Sequence, residues 1–183
     1  MERVFQSKAA GFAYTRLANP TIAAFEQRVA ALEEGVGAVA CASGMAAVSM
    51  ALLNILRMGD EFIVTSRLYG GTLTLFHNFE HFGITARYAD QCTVEAIEPL
   101  INERTRLIFT EVISNPGLDV VNVAALAELA HRYDLPLIVD STTATPMLLR
   151  PLKLGADIVV HSSSKYINVN ILTVTETLSA ASS

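Results

Sequence analysis

Five short polar clusters, each following an apolar run, hold most of the residues here that could do chemistry. They are Ser43-Gly44-Met45, Tyr69-Gly70-Gly71, Glu111 with Asn115-Pro116, Asp140-Ser141-Thr142 and His161-Ser162-Ser163-Ser164-Lys165. A serine–glycine turn between a strand and a helix gathers free N–H groups at the positive end of the helix dipole, which suits phosphate. An ordinary strand–helix connection has the same sequence. Asp140 ends the run Leu135–Val139. An acid at that depth needs a cationic or protonated partner, or else caps a helix or a sheet end. Lys165 follows Asp157–His161 and three serines. Desolvated there, a lysine loses proton affinity and can form a Schiff base; solvated, it is a surface charge. As a set, the clusters suit one anionic, aromatic cofactor better than they suit hydride transfer.

Other chemistries find less support. No GxGxxG follows a strand and no Walker lysine motif is present. His77 and His81 lie four apart, but the intervening Asn78-Phe79-Glu80 does not make the His-Glu-x-x-His zinc pattern. Cys41 reads as a small core residue, and Cys92 has no base beside it. Two cysteines make no disulfide framework, so a reducing cytoplasm is expected. A net charge of −5 without a basic stripe argues against nucleic acid. The N-terminus has no apolar signal-peptide core. The uncharged stretch Gly35–Leu56 is long enough for a membrane span, but its glycines and Val divide it into a strand, a turn and a helix.

Stepwise alternation of strand and helix signals must position the clusters. With 51% hydrophobic and 17% charged residues, the chain can bury a sizeable core. Asn19 as N-cap and Pro20 at the first helical position open a helix with Ile22, Phe25, Val29 and Leu32 on one face and Gly35 at its end. Strands are expected at 38–42, 62–65, 85–88, 107–110, 137–139 and 158–160. Helices are expected at 45–56, 72–82, 94–101 and 123–133. The strands are continuous apolar runs, as when helices cover both sheet faces. This predicts an α/β fold with a doubly wound, mainly parallel sheet. In such sheets ligands bind at the carboxyl ends of the strands, where the five clusters fall.

Together the motifs Tyr14-Thr15-Arg16-Leu17-Ala18-Asn19-Pro20-Thr21, Ser43-Gly44-Met45-Ala46-Ala47, Leu68-Tyr69-Gly70-Gly71-Thr72, Glu111-Val112-Ile113-Ser114-Asn115-Pro116, Val139-Asp140-Ser141-Thr142 and His161-Ser162-Ser163-Ser164-Lys165-Tyr166 resemble the fold-type-I pyridoxal-phosphate (PLP) enzymes of cysteine and methionine metabolism. The resemblance spans residues 14 to 166 in the family's order. It implies that Lys165 holds PLP covalently and moves protons, and that Asp140 pairs with the pyridine nitrogen. It implies phosphate contacts from Ser43, Gly44, Met45, Ser162 and Ser164, stacking by Tyr69, and a hydrogen bond from Asn115 to the ring's phenolic oxygen. Thr142 joins the cofactor contacts. Tyr14 and Arg16 are expected to reach a neighbouring subunit's phosphate, so the resemblance implies a homo-oligomer acting on a small amino-acid substrate.

The implied activity is γ-replacement on an activated homoserine, leaning toward O-acetylhomoserine sulfhydrylase. γ-Elimination, as in methionine γ-lyase or cystathionine γ-synthase/lyase types, shares every motif. Family members are about twice this long, with a glycine-rich stretch after the lysine where this chain has Val169-Asn170-Ile171. The expected organisation is an arm over 1–19, a partial PLP-binding domain over 20–168 without the C-terminal small domain, and a loosely paired, non-family tail over 169–183. A fragment without turnover is the further alternative, and an unrelated doubly wound domain, such as a dehydrogenase, the third.

Overall fold

In the computed structural model, residues 11, 14, 15, 18–65 and 67–167 are described, together with the backbone of 176–180. Asn19 caps helix α1 (Pro20–Glu33), its side chain accepting from the amides of Thr21 at 2.9 Å and Ile22 at 3.4 Å. The expected apolar face of α1 is only partly covered: Val29 is buried, but Ile22 and Leu32 are exposed. The helix ends at Glu34 in the left-handed region. Then follow β1 (Gly37–Cys41), α2 (Gly44–Ile55), β2 (Glu61–Thr65), α3 (Gly70–Phe79), β3 (Thr85–Ala89), α4 (Val94–Ile97), β4 (Thr105–Glu111), α5 (Val123–Arg132), β5 (Leu137–Asp140), α6 (Thr145–Leu148), β6 (Ile158–His161) and β7 (Glu176–Ala180). Each expected strand lies within a residue or two of its observed bounds. The helix expected from Val94 to Ile101 is a single α turn continued by the tighter turn Glu98–Leu100, with Pro99 at its start.

The strands form one sheet in the order β1-β7-β6-β5-β4-β2-β3. Pairings among β2 to β6 are parallel, and only β7 runs antiparallel to its neighbours. Alternation along each strand feeds two cores. Phe62, Val64, Leu107, Phe109, Ile138 and Val160 pack against α2 and α3. Ile63, Ile108, Leu137, Val139 and Val159 pack on the other face with Leu126 and Leu129 of α5. Helices therefore cover both faces, as the unbroken apolar runs require. On the α2/α3 side, Phe76 sits edge-on to Phe62 at 5.0 Å and to Phe109 at 5.2 Å, which fixes α3 against the sheet.

Of the tail expected over 169–183, only the backbone of 176–180 is described; the rest lies outside the described residues. Instead of a loosely paired tail, Glu176–Ala180 lies inside the sheet, with its backbone in register with β1 on one side and β6 on the other. The physical reason is that two strand edges with unpaired N–H and C=O groups accept any β-compatible backbone between them. The Thr- and Ser-containing ETLSA segment satisfies that without an apolar signature.

Candidate functional site

The carboxyl ends of parallel strands open on one side of a sheet, so chain segments leaving β1, β2, β4, β5 and β6 meet there. Strand alternation decides which side chains point the same way. Glu111 follows Leu107 and Phe109 on the α2/α3 side, Asp140 follows Ile138, and the two acids are direct register partners. With Ser43, Tyr69, Asn115 and Lys165 they line one cleft of about 410 Å³. Gly44, Met45, Thr142, Ser162 and Ser164 line it too.

At one end of the cleft is the start of α2. Ser43 caps this helix, its Oγ accepting from the Ala46 amide at 3.1 Å. The first amides of a helix have no partner within it, so those of Gly44 and Met45 face the cleft with the positive end of the dipole. Hydroxyls stand opposite, where the Ser162 amide donates to Thr142 Oγ1 at 2.8 Å and ties the β6 exit to the β5 exit. This end can hold an anion.

The middle of the cleft is acidic. Asp140 is half-buried, and its Oδ1 accepts from the Thr142 amide at 2.9 Å. Burial raises its pKa above the ordinary carboxylate range, although the Thr142 hydrogen bonds and the nearby His161 oppose the shift. Such a carboxyl is short of a cation. Glu111, 8% exposed, accepts from the Tyr69 amide at 2.8 Å. Burial pushes Glu111 up to about 7; the Tyr69 amide opposes this and the charge of Asp140 adds to it.

Tyr69 is the N-cap residue of α3, with its ring half exposed. A Cβ built on Gly71 would lie 2.5 Å from Cε1 of that ring, so the second glycine of Tyr-Gly-Gly leaves the space the ring occupies. Gly71→Ala is therefore expected to swing the Tyr69 ring aside without unfolding the chain, since an exposed tyrosine can rotate away. An unchanged melting temperature with altered Tyr69 ring signals by NMR checks this. The loop bearing Asn115 is joined to the loop before Tyr69 by Arg67, which donates to Asp119 Oδ2 at 2.8 Å. Asp119 also accepts from Ser114 Oγ at 3.3 Å.

Of the residues singled out from sequence, those after the strands share the cleft. Tyr14 is exposed and does not line it, and Arg16 lies outside the described residues. Thr72 and Tyr166, present in the motifs without a role, line it as well. Glu111 had no assigned role either; its signal is its position as the last residue of an apolar run, level with Asp140. Among the described residues no His/Cys/Asp/Glu group could hold a metal ion.

A ring bearing a protonated nitrogen, an aldehyde and a phosphate fits this donor set. The cleft offers a carboxyl short of a cation, an amine, an aromatic face and a helix N-terminus. Comparison with known proteins agrees. A family model described as Cys/Met metabolism PLP-dependent enzyme matches residues 1–175. The chain is 45% identical over 166 residues to an O-acetyl-L-homoserine sulfhydrylase of Leptospira meyeri, covering 90% of this chain and 38% of that protein. It is 45% identical over 168 residues to an L-methionine gamma-lyase of Fusobacterium nucleatum subsp. polymorphum, covering 91% of this chain and 42% of that protein. A crystal structure assigned as an O-acetylhomoserine (thiol)-lyase of Campylobacter jejuni, containing a pyridoxyl-lysine phosphate, superposes with a TM-score of 0.91 at 36% identity. That match covers 99% of this chain and 45% of the other. The chain thus spans about two fifths of the length of the curated relatives it matches.

Proposed function

Because the chain belongs to the Cys/Met metabolism PLP-dependent enzyme family, we propose that it binds PLP at Lys165 and serves γ-replacement on an activated homoserine. In that reaction the Cγ–O bond of O-acetylhomoserine breaks, acetate leaves, and sulfide or a thiol forms the new Cγ–S bond. The observation that carries this reading is the meeting of Lys165, Asp140, Tyr69 and the start of α2 in one cleft. When bound, PLP supplies an electron sink for negative charge developing on the substrate's carbon atoms.

The chain's own residues then have separable tasks. Gly44 and Met45 offer amides to the phosphate, with Ser43, Ser162 and Ser164 around it. Asp140 carries negative charge at the floor of the cleft, which holds a proton on the ring nitrogen. Lys165 Nζ is the amine that would hold the group covalently and, once displaced by the substrate's amine, would carry protons between substrate carbons. Tyr69 would cover the ring and exclude water, Asn115 would orient it through a hydrogen bond, and the Thr142 amide holds the Asp140 carboxyl.

γ-Elimination is the second reading, favoured by a methionine gamma-lyase as similar to this chain as the sulfhydrylase. Residues 20–168 supply the cofactor contacts, while 169–183 lie outside that set. The arm over 1–19 reaches a second copy, where Tyr14 and Arg16 meet the partner's phosphate; Arg suits that task through its bidentate fork. Support for this comes from Tyr14, exposed and outside its own chain's cleft. Cys41 and Cys92 are not joined in a disulfide, and a cytoplasmic setting is part of the same reading. Among the described residues no helix is long and apolar enough to cross a membrane.

The test is to titrate PLP into the chain, follow visible absorbance, and then supply O-acetylhomoserine with sulfide. Homocysteine supports replacement, and ammonia with a keto acid supports elimination. Absorbance without either product identifies a chain that binds cofactor but does not turn over. No visible band overturns the reading.

A further inference from the structure

Glu111 is a buried carboxyl that none of the steps above uses, and its surroundings give it one. We propose that Glu111 is a positioning residue whose charge couples the placement of Tyr69 to the presence of a cation beside Asp140. The inference rests on the cofactor reading, since that cation would be the protonated ring nitrogen.

Its geometry comes from the sheet. β4 and β5 end level with each other, so Glu111 and Asp140 stand side by side on the α2/α3 face. From there Glu111 reaches up to the Tyr69 amide at 2.8 Å, across 42 residues of chain. That amide belongs to the N-cap of α3, so the hydrogen bond sets where the aromatic ring is presented. A carboxylate accepts from an N–H about twice as strongly as a neutral carboxylic acid does. Ionised, Glu111 therefore fixes Tyr69 more firmly than when protonated.

Asp140 on β5 and the Tyr69 amide at α3 are the groups acting directly on Glu111, and Lys165 and Tyr166 line the remaining wall. His161 on β6 acts on Asp140 from beyond it. Without a cation in the cleft, two neighbouring carboxyls resist being ionised together, and burial makes this worse. This agrees with a Glu111 that titrates near neutrality. A positive charge beside Asp140 would reverse the balance and release the Glu111 proton. By reciprocity, loss of that proton strengthens binding of the cation. Cofactor binding and the fixing of Tyr69 then occur together.

Glu111→Gln isolates the charge, because the amide oxygen still accepts from the Tyr69 N–H. PLP affinity of both proteins is measured by equilibrium dialysis between pH 6 and pH 8. Other titrating groups affect both alike, so the informative quantity is the ratio of wild-type to variant affinity. The ratio is expected to rise by about fivefold or more from pH 6 to pH 8. A ratio that stays constant, with the visible band present in both proteins, overturns the coupling and leaves the cofactor reading intact. No visible band in the wild type overturns both. If Glu111→Gln fails to fold, carbon-13 NMR of the wild-type Glu111 carboxyl decides. It is expected to titrate near 7 without cofactor and at lower pH with PLP. Titration in the ordinary glutamate range of about 4.3, or at the same pH with and without PLP, overturns the inference.

Discussion

Replacing Lys165 with alanine removes the absorbance shift that covalent attachment of PLP produces while leaving weak, non-covalent binding. The expectation follows from how the tasks are divided in the cleft. The proposed phosphate seat at Ser43, Gly44 and Met45 is built on the start of α2 and does not involve Lys165, so the anion would keep its site. The covalent attachment, by contrast, has no other lysine lining the cleft among the described residues. Lys153 is held by Glu34 at 2.7 Å and does not line the cleft. Loss of proton transfer alone should lower any turnover by about 10²–10⁴-fold. Lys165 is exposed and follows the last residue of β6, so its removal should leave the melting temperature unchanged. Absorbance titration and thermal unfolding of the two proteins check the pair of expectations.

Asp140→Asn should do two opposite things. Asparagine keeps the oxygen that accepts from the Thr142 amide but gives up the charge. In the cofactor-free chain that charge is a burden, since burial raises the Asp140 pKa. A group whose folded-state pKa is raised costs stability as pH rises through that value, because the folded state must then bury the ionised form. Asp140→Asn should therefore raise the melting temperature of the free chain at neutral and higher pH, with little effect under acid conditions. The same change should weaken PLP binding by about 10- to 100-fold, the usual worth of a hydrogen bond to a charged group. A residue with a purely structural role would lose stability and binding together. Thermal unfolding at several pH values, set against PLP affinity, separates the two.

Why so much of this was legible follows from the kinds of signal involved. The runs that became β2, β4, β5 and β6 are apolar without alternation, a pattern specific to sheets covered on both faces. The Asn19-Pro20 start of α1 and the Ser43-Gly44 start of α2 are local capping chemistry, which depends little on the rest of the fold. β7 was hard to read because its segment lacks an apolar run, and its backbone is paired between two strand edges distant in sequence. The short helix α6 and the turn Pro151–Leu154 are too brief to show a period. Glu111 was visible as an acid, but its partnership with Asp140 exists only through strand register, and its hold on Tyr69 crosses 42 residues. Nothing local in the sequence encodes either.

On the proposed function, one lysine beyond the exit of β6 forms the covalent attachment in a cleft built from five strand ends. Reduction of the PLP-loaded chain with borohydride would trap that attachment, and peptide mass spectrometry would locate it. The account predicts a pyridoxyl mass on the peptide containing Lys165 and on no other. Label on Lys8 or Lys153, or an equal yield from Lys165→Ala, would contradict it.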